Sequence, residues 1–125
     1  AVGSMVQPAL AAAAELGTEH DIDATVVNAR FIKPLDETLL KGFIDRNQPV
    51  LTVEEGLLAG GFGSAVREFI GSSNALLPVE SIGIDDEFTE HGTRQELLEM
   101  VGLTSANIVK KAVVLAGLAV ADPLP

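Results

Sequence analysis

Val50-Leu51-Thr52-Val53 is a short apolar, β-branched run that enters after Pro49 and ends in Glu54-Glu55-Gly56. A glycine-rich turn follows and opens, at Gly60-Gly61-Phe62-Gly63-Ser64-Ala65-Val66, into a helical pattern. Val66, Phe69 and Ile70 share one face of that helix, and Gly71 follows them. A second apolar run, Val79 to Ile82, comes next. Strand, turn, helix and strand in this order form a βαβ unit, whose strands must run parallel because a helix is needed to cross between them.

On either side of this unit the same alternation continues. On the N-terminal side Ala24-Thr25-Val26-Val27-Asn28 reads as a buried strand. Arg30 to Pro34 reads as a loop, and Asp36 as the cap of a helix facing inward with Leu39, Leu40, Phe43 and Ile44. Leu35 is placed to staple onto Leu40. An earlier helix carries Val6, Ala9, Leu10, Ala13 and Leu16, with Ser4 and Gln7 at capping-box spacing and Gly17 at its end. A strand should lead into that helix, yet only Ala1 and Val2 stand before Gly3-Ser4. The expectation is that the chain was cut from something longer. On the C-terminal side Thr93 and Glu96 form a capping box before Leu97, Leu98 and Val101, with Gly102 as the stop. Thr104 then caps a helix through Ile108, Ala112 and Leu115.

The expected fold is therefore α/β, a three-layer α/β/α sandwich around a mostly parallel sheet of four or five strands. Residues 1–120 form one domain, and residues 121–125 are expected to fray. With 125 residues, 47% of them hydrophobic, the chain can bury a core without staples. The absence of cysteine excludes a disulfide framework, a thiolate metal site and a cysteine nucleophile, and fits a cytoplasmic protein. Eight Lys and Arg against 18 Asp and Glu give a net charge of −10, which argues against nucleic acid or an anionic membrane as partner. The longest apolar stretch, Ala112 to Ala121, is half of what spans a bilayer.

Ligands on a parallel sheet bind beyond the carboxyl ends of its strands, where this chain places mostly acidic residues. Gly60, Gly61 and Gly63 could present free N–H groups to an anion, but the turn fits neither GxGxxG nor a P-loop, and Glu54 and Glu55 would repel phosphate. Tight turns and close helix–sheet packing explain the glycines more simply. Glu54 and Glu55 are adjacent on a strand and point apart, so one is expected to cap a neighbouring turn or helix and the other to be solvated. Asp85, Asp86, Glu87 and Glu90 lack calcium-loop spacing and read as a solvated turn. His91, with no second ligand nearby, suits an interface better than a metal, and His20 reads as a surface residue. Arg30, Phe31, Lys33 and Asp36 mix bulky apolar groups with charges in one loop, which points to docking against another surface as readily as to local packing. No catalytic, cofactor-binding or metal-binding set emerges.

Three segments together carry a resemblance. Arg30-Phe31-Ile32-Lys33-Pro34-Leu35-Asp36, then Val53-Glu54-Glu55-Gly56 with Gly60-Gly61-Phe62-Gly63-Ser64-Ala65-Val66, then Ile82-Gly83-Ile84-Asp85-Asp86-Glu87-Phe88 with His91-Gly92 resemble, in order and spacing, segments of the 1-deoxy-D-xylulose 5-phosphate synthase family. The similarity runs from Gly3-Ser4 to about Lys111, and Asp86 departs from it, since the family often has Pro-Asp at Asp85-Asp86. It covers that family's C-terminal, transketolase-like domain alone. It implies an enzyme that uses thiamine diphosphate and Mg2+ to join pyruvate to D-glyceraldehyde 3-phosphate with loss of carbon dioxide, at the entry to non-mevalonate isoprenoid synthesis. It also implies that cofactor and catalytic residues lie in other domains, that this one packs against them and helps form a homodimer, and that alone it is inactive. The resemblance implies a five-stranded sheet with one antiparallel strand, which would lie before Ala1. Its loss would expose a sheet edge and favour self-association. Two alternatives stand beside this reading: the equivalent domain of another thiamine-diphosphate enzyme (a transketolase or the β-subunit of a 2-oxo acid dehydrogenase), and a freestanding α/β module that binds an anion at Gly60-Gly61.

Overall fold

The computed structural model of the chain describes residues 1–87 and 91–120, with the backbone alone over 118–120. A 3-10 turn, Gly3–Met5, leads into α1, Val6–Glu19; α2 is Glu37–Asp45, β1 Val50–Leu57, α3 Phe62–Ser72, β2 Val79–Ile84, α4 Arg94–Met100 and α5 Ser105–Val120. β1 and β2 pair in parallel, with Val50 opposite Val79 and Val53 opposite Ile82, and α3 crosses between them.

Alternation along β1 sends its side chains to two separate cores. Leu51 and Val53 meet Met5, Ala12 and Leu16 from the α1 side and Leu103, Ile108 and Val109 from the α5 side. Val50 turns to the other face, where Leu40 of α2 packs with Phe62, Val66 and Ile70 of α3 and with Leu77. The layers are thus α1 and α5, the sheet, then α2 and α3, as a sheet buried on both faces requires.

The ladder holds two strands among the described residues, fewer than the four or five expected. Residues 24–28, expected as a strand, form none: a strand needs a run of bonds to a neighbour, and beside this stretch stands Ala1, which bonds Val27 C=O and Ala29 N–H. The antiparallel strand is likewise not found among the described residues.

Several helix ends follow local chemistry. The Asp36 carboxylate accepts from Leu39 N–H at 3.0 Å, Thr93 and Glu96 form the full capping box, and Thr104 accepts from Asn107 N–H at 3.2 Å. Leu35 and Leu40 lie in one cluster. The Ser4–Gln7 box does not form: Met5 stands at the cap of α1 with no side-chain bond, and the Ser4 hydroxyl turns to Glu55 instead. Leu10 is half-exposed rather than inward, while Ala12 takes its place in the core. Gly17 and Gly71 lie inside their helices, each near its end, and do not stop them. The stretch Arg94–Gly117 is long and apolar enough to cross a membrane, but it is two helices broken at Gly102, and Ile108, Val109 and Leu115 are buried in the core. Residues 121–125, expected to fray, and Glu90 of the acidic turn lie outside the described residues.

Candidate functional site

The carboxyl ends of β1 and β2 gather what polar chemistry the domain has. Between Val53 and Leu57 the ladder shifts register, so that β1 spends four residues where β2 spends two. Such a bulge re-aims the side chains it carries. Here it sends Glu54 inward and Glu55 outward.

Glu54 is buried, at 6% exposure, and both its oxygens are used. One accepts from Phe62 N–H at 2.9 Å and the other from Gly63 N–H at 2.8 Å. These are orphan donors of the first turn of α3, whose positive dipole end also favours a carboxylate. Gly60 adopts φ +71° and donates its N–H to the Ser64 hydroxyl, which in turn donates to Leu58 C=O at 2.6 Å. Gly61 N–H donates to Leu58 C=O. The N–H groups that could have met an external anion thus already have partners inside the chain, and for two of them that partner is negative. Beneath Gly63 the Thr52 hydroxyl donates to Ser81 Oγ at 2.8 Å, and Arg67 Nε donates to the same oxygen at 3.1 Å.

Glu55 faces the rim but is not simply solvated as expected: the Ser4 hydroxyl donates to it and Arg94, brought from the start of α4, makes an ion pair at 2.6 Å. The Ser4 hydrogen bond first, and then the Arg94 hydrogen bond, hold its carboxyl below the ordinary glutamate range. In the unfolded chain that value rises back, so the three-residue contact contributes above the ordinary glutamate pKa and is lost as pH falls through the folded value. Followed by carboxyl NMR, Glu55 should titrate below a solvated glutamate, and Ser4→Ala should raise its midpoint at least as much as Arg94→Ala. An unshifted midpoint in the parent chain would refute the contact.

The docking candidates are differently placed. Phe31 is 76% exposed, Ile32 is also exposed, and Arg30 and Lys33 have no ion-pair partner among the described residues. Asp36 already serves α2 as its cap. His91 is exposed just before α4, and no hydrogen bond or ion pair joins it to the Arg30–Asp36 loop. No group of three metal-ligating side chains converges among the described residues. Nothing in the sequence signals the bulge or the Ser4–Glu55–Arg94 contact, which joins residues far apart along the chain.

Residues 1–108 match the family described as transketolase, C-terminal domain. The chain belongs to that family. Among its relatives, a 1-deoxy-D-xylulose-5-phosphate synthase of Gloeobacter violaceus is 54% identical over 110 residues, which are 88% of this chain and 17% of the relative. One from a Synechococcus species is 49% identical over 111 residues, 89% of this chain and 17% of the relative. One from Bacillus licheniformis is 44% identical over 110 residues, 87% of this chain and 17% of the relative. The chain therefore spans about a sixth of the length of these curated relatives. At the rim of this domain the carboxylates of Glu54 and Glu55 are both engaged by partners within the chain.

Proposed function

We propose that the chain is the C-terminal domain of a 1-deoxy-D-xylulose-5-phosphate synthase and serves it as a structural and dimer-interface domain. The whole enzyme would join pyruvate to D-glyceraldehyde 3-phosphate with thiamine diphosphate and Mg2+, as a cytoplasmic homodimer. Identity near 50% over almost the whole chain to synthases carries this reading. Against another thiamine-diphosphate enzyme stands the shared name of those relatives; against an anion-binding module stands Glu54, whose carboxylate occupies the N–H groups an anion would need. Because no reactive set converges among the described residues, the domain alone is expected to form no product.

Docking falls to Arg30, Phe31, Lys33 and His91, with Asp36 shaping the loop through its cap. A phenyl ring three-quarters exposed beside two cations is the kind of group that anchors an interface. In the full-length polypeptide, Phe31→Ala should weaken the dimer about 10-fold or more by sedimentation, while turnover per folded dimer stays near that of the parent. An intact, stable dimer with abolished chemistry would overturn the docking role.

A further inference from the structure

β2 ends the sheet on one side, because β1 is the one strand beside it among the described residues. Val50 stands opposite Val79 and its N–H donates to Pro78 C=O, so in this parallel register Glu80 and Ile82 turn their backbone groups toward β1. Val79 and Ser81 turn theirs outward, to the free edge. Gly83 is buried, which limits the open edge to Val79–Ser81. Such an edge is a template for another strand unless something covers it. Here the cover is Glu80, whose carboxylate folds back along the edge and accepts from Ser81 N–H at 3.2 Å. Arg67 of α3 brings Nη2 to 4.0 Å from the same carboxylate oxygen, and Lys111 of α5 brings Nζ to 3.7 Å. α3 and α5 pack on opposite faces of the sheet. Side chains from opposite layers can reach one oxygen only where no strand stands between them. Arg67 is held there by its Nε, which donates to Ser81 Oγ at 3.1 Å.

We propose that Arg67, Glu80 and Lys111 form a clip that closes the free edge of β2 against a second copy of this chain. An added strand would run roughly 4.8 Å from β2 and set a C=O where the Glu80 carboxylate now meets Ser81 N–H, so clip and strand exclude each other. A second copy is the partner excluded because the open edge is self-complementary. Two β2 strands set antiparallel about Glu80 place Val79 opposite Ser81 of the partner subunit and Ser81 opposite Val79 of the partner subunit, so that every outward N–H and C=O finds a mate. Leu76, 99% exposed just before β2, would add apolar contact to that pairing. The same register sets Glu80 directly against Glu80 of the partner subunit, and like charges so placed repel. Glu80 therefore guards the edge twice, by covering an N–H and by its charge. The ion pairs are long and largely exposed, so they add little to stability, and their consequence lies in where they hold the carboxylate.

The clip stands apart from the synthase reading and from the Arg30–Asp36 loop, and neither enters its test. The 125-residue chain is compared with Glu80→Val and with Glu37→Val, which removes an exposed, ion-paired carboxylate on α2. Sedimentation equilibrium reads the strength of self-association, and amide exchange at several protein concentrations reads the surface used. Glu80→Val should associate about 10-fold more tightly than the parent, with exchange at Val79 and Ser81 slowing as concentration rises, while Glu37→Val matches the parent. Equal association of the parent and Glu80→Val overturns the proposal. So does an equal gain in both variants, which assigns the effect to net charge. So does association of Glu80→Val that leaves exchange at Val79 and Ser81 independent of concentration, which places the contact elsewhere. Should Glu80→Val not fold, Lys111→Ala strips one arm of the clip from an exposed position, with an expected gain of about 3-fold at the same amides and the same refutations.

Discussion

Glu54→Ala should lower stability by about 3 kcal/mol, the largest loss expected from any single carboxylate in the domain. The substitution strands two donors of the first turn of α3, Phe62 N–H and Gly63 N–H, in a buried setting and removes the negative charge at that helix end. Each unsatisfied buried donor costs roughly 1–3 kcal/mol, while the methyl of alanine returns little. For a domain of this size the fall in Tm should be about 10 °C. Glu54→Gln keeps one acceptor oxygen but sets an NH2 group against an N–H, so an intermediate loss is expected. Calorimetry on the three proteins decides it, and a Tm for Glu54→Ala within a degree or so of the parent would remove the carboxylate from its role as helix cap.

Gly63→Val should be comparably damaging, for a steric reason. A Cβ at Gly63 would lie 2.7 Å from Thr52 Oγ1 and 2.9 Å from Ser81 Oγ, closer than carbon tolerates, with Glu54 Oε1 at 3.3 Å. Those two hydroxyls are bonded to each other, and Thr52 is buried, so neither moves without breaking that contact. Alanine alone sets a gain of up to about 1 kcal/mol in helix propensity against overpacking of about 1–3 kcal/mol plus a weakened hydrogen bond, and the loss wins. Valine adds two methyls to the same clash, for an expected loss above about 3 kcal/mol. At Gly71, in the same helix, a methyl would meet nothing within 4 Å, so Gly71→Ala should stabilise by about 0.5–1 kcal/mol. Opposite signs at Gly63 and Gly71 in chemical denaturation would establish that packing, and not helix propensity, governs α3. Equal signs would sink that explanation.

These two sites show which parts of the molecule local sequence can reveal. Asp36, the Thr93–Glu96 pair and Thr104 act within three residues of themselves, and each caps the helix that its spacing indicates. The apolar runs at Val50 and Val79 become the two parallel strands for the same reason: β-branched residues between turn signals need only their own alternation to be read. Glu54 and Glu55 are legible as a pair pointing apart, one of them capping, whereas the other is held by Ser4 and Arg94 and not left to solvent as expected. Their partners are not, because Ser4, Arg94 and the α3 N-terminus reach them only across a register shift in the ladder. Ser4 shows the limit most clearly. Its spacing to Gln7 offers a local box, yet a carboxylate brought from β1 offers a charged acceptor, and the charged hydrogen bond prevails.

Residue order alone is enough for the α/β alternation, for most of the helix caps and, through three short segments in succession, for the family. Those properties depend on neighbours within a turn or on residue identity. Three others emerge once the chain is folded. Residues 24–28 stand apart from the ladder, Glu54 fills the turn an anion might have used, and an apolar cleft lies between that segment and β1. Each depends on which backbone groups find partners across the sheet, and hydrogen bonds between distant segments are set by register and packing, which no local pattern encodes.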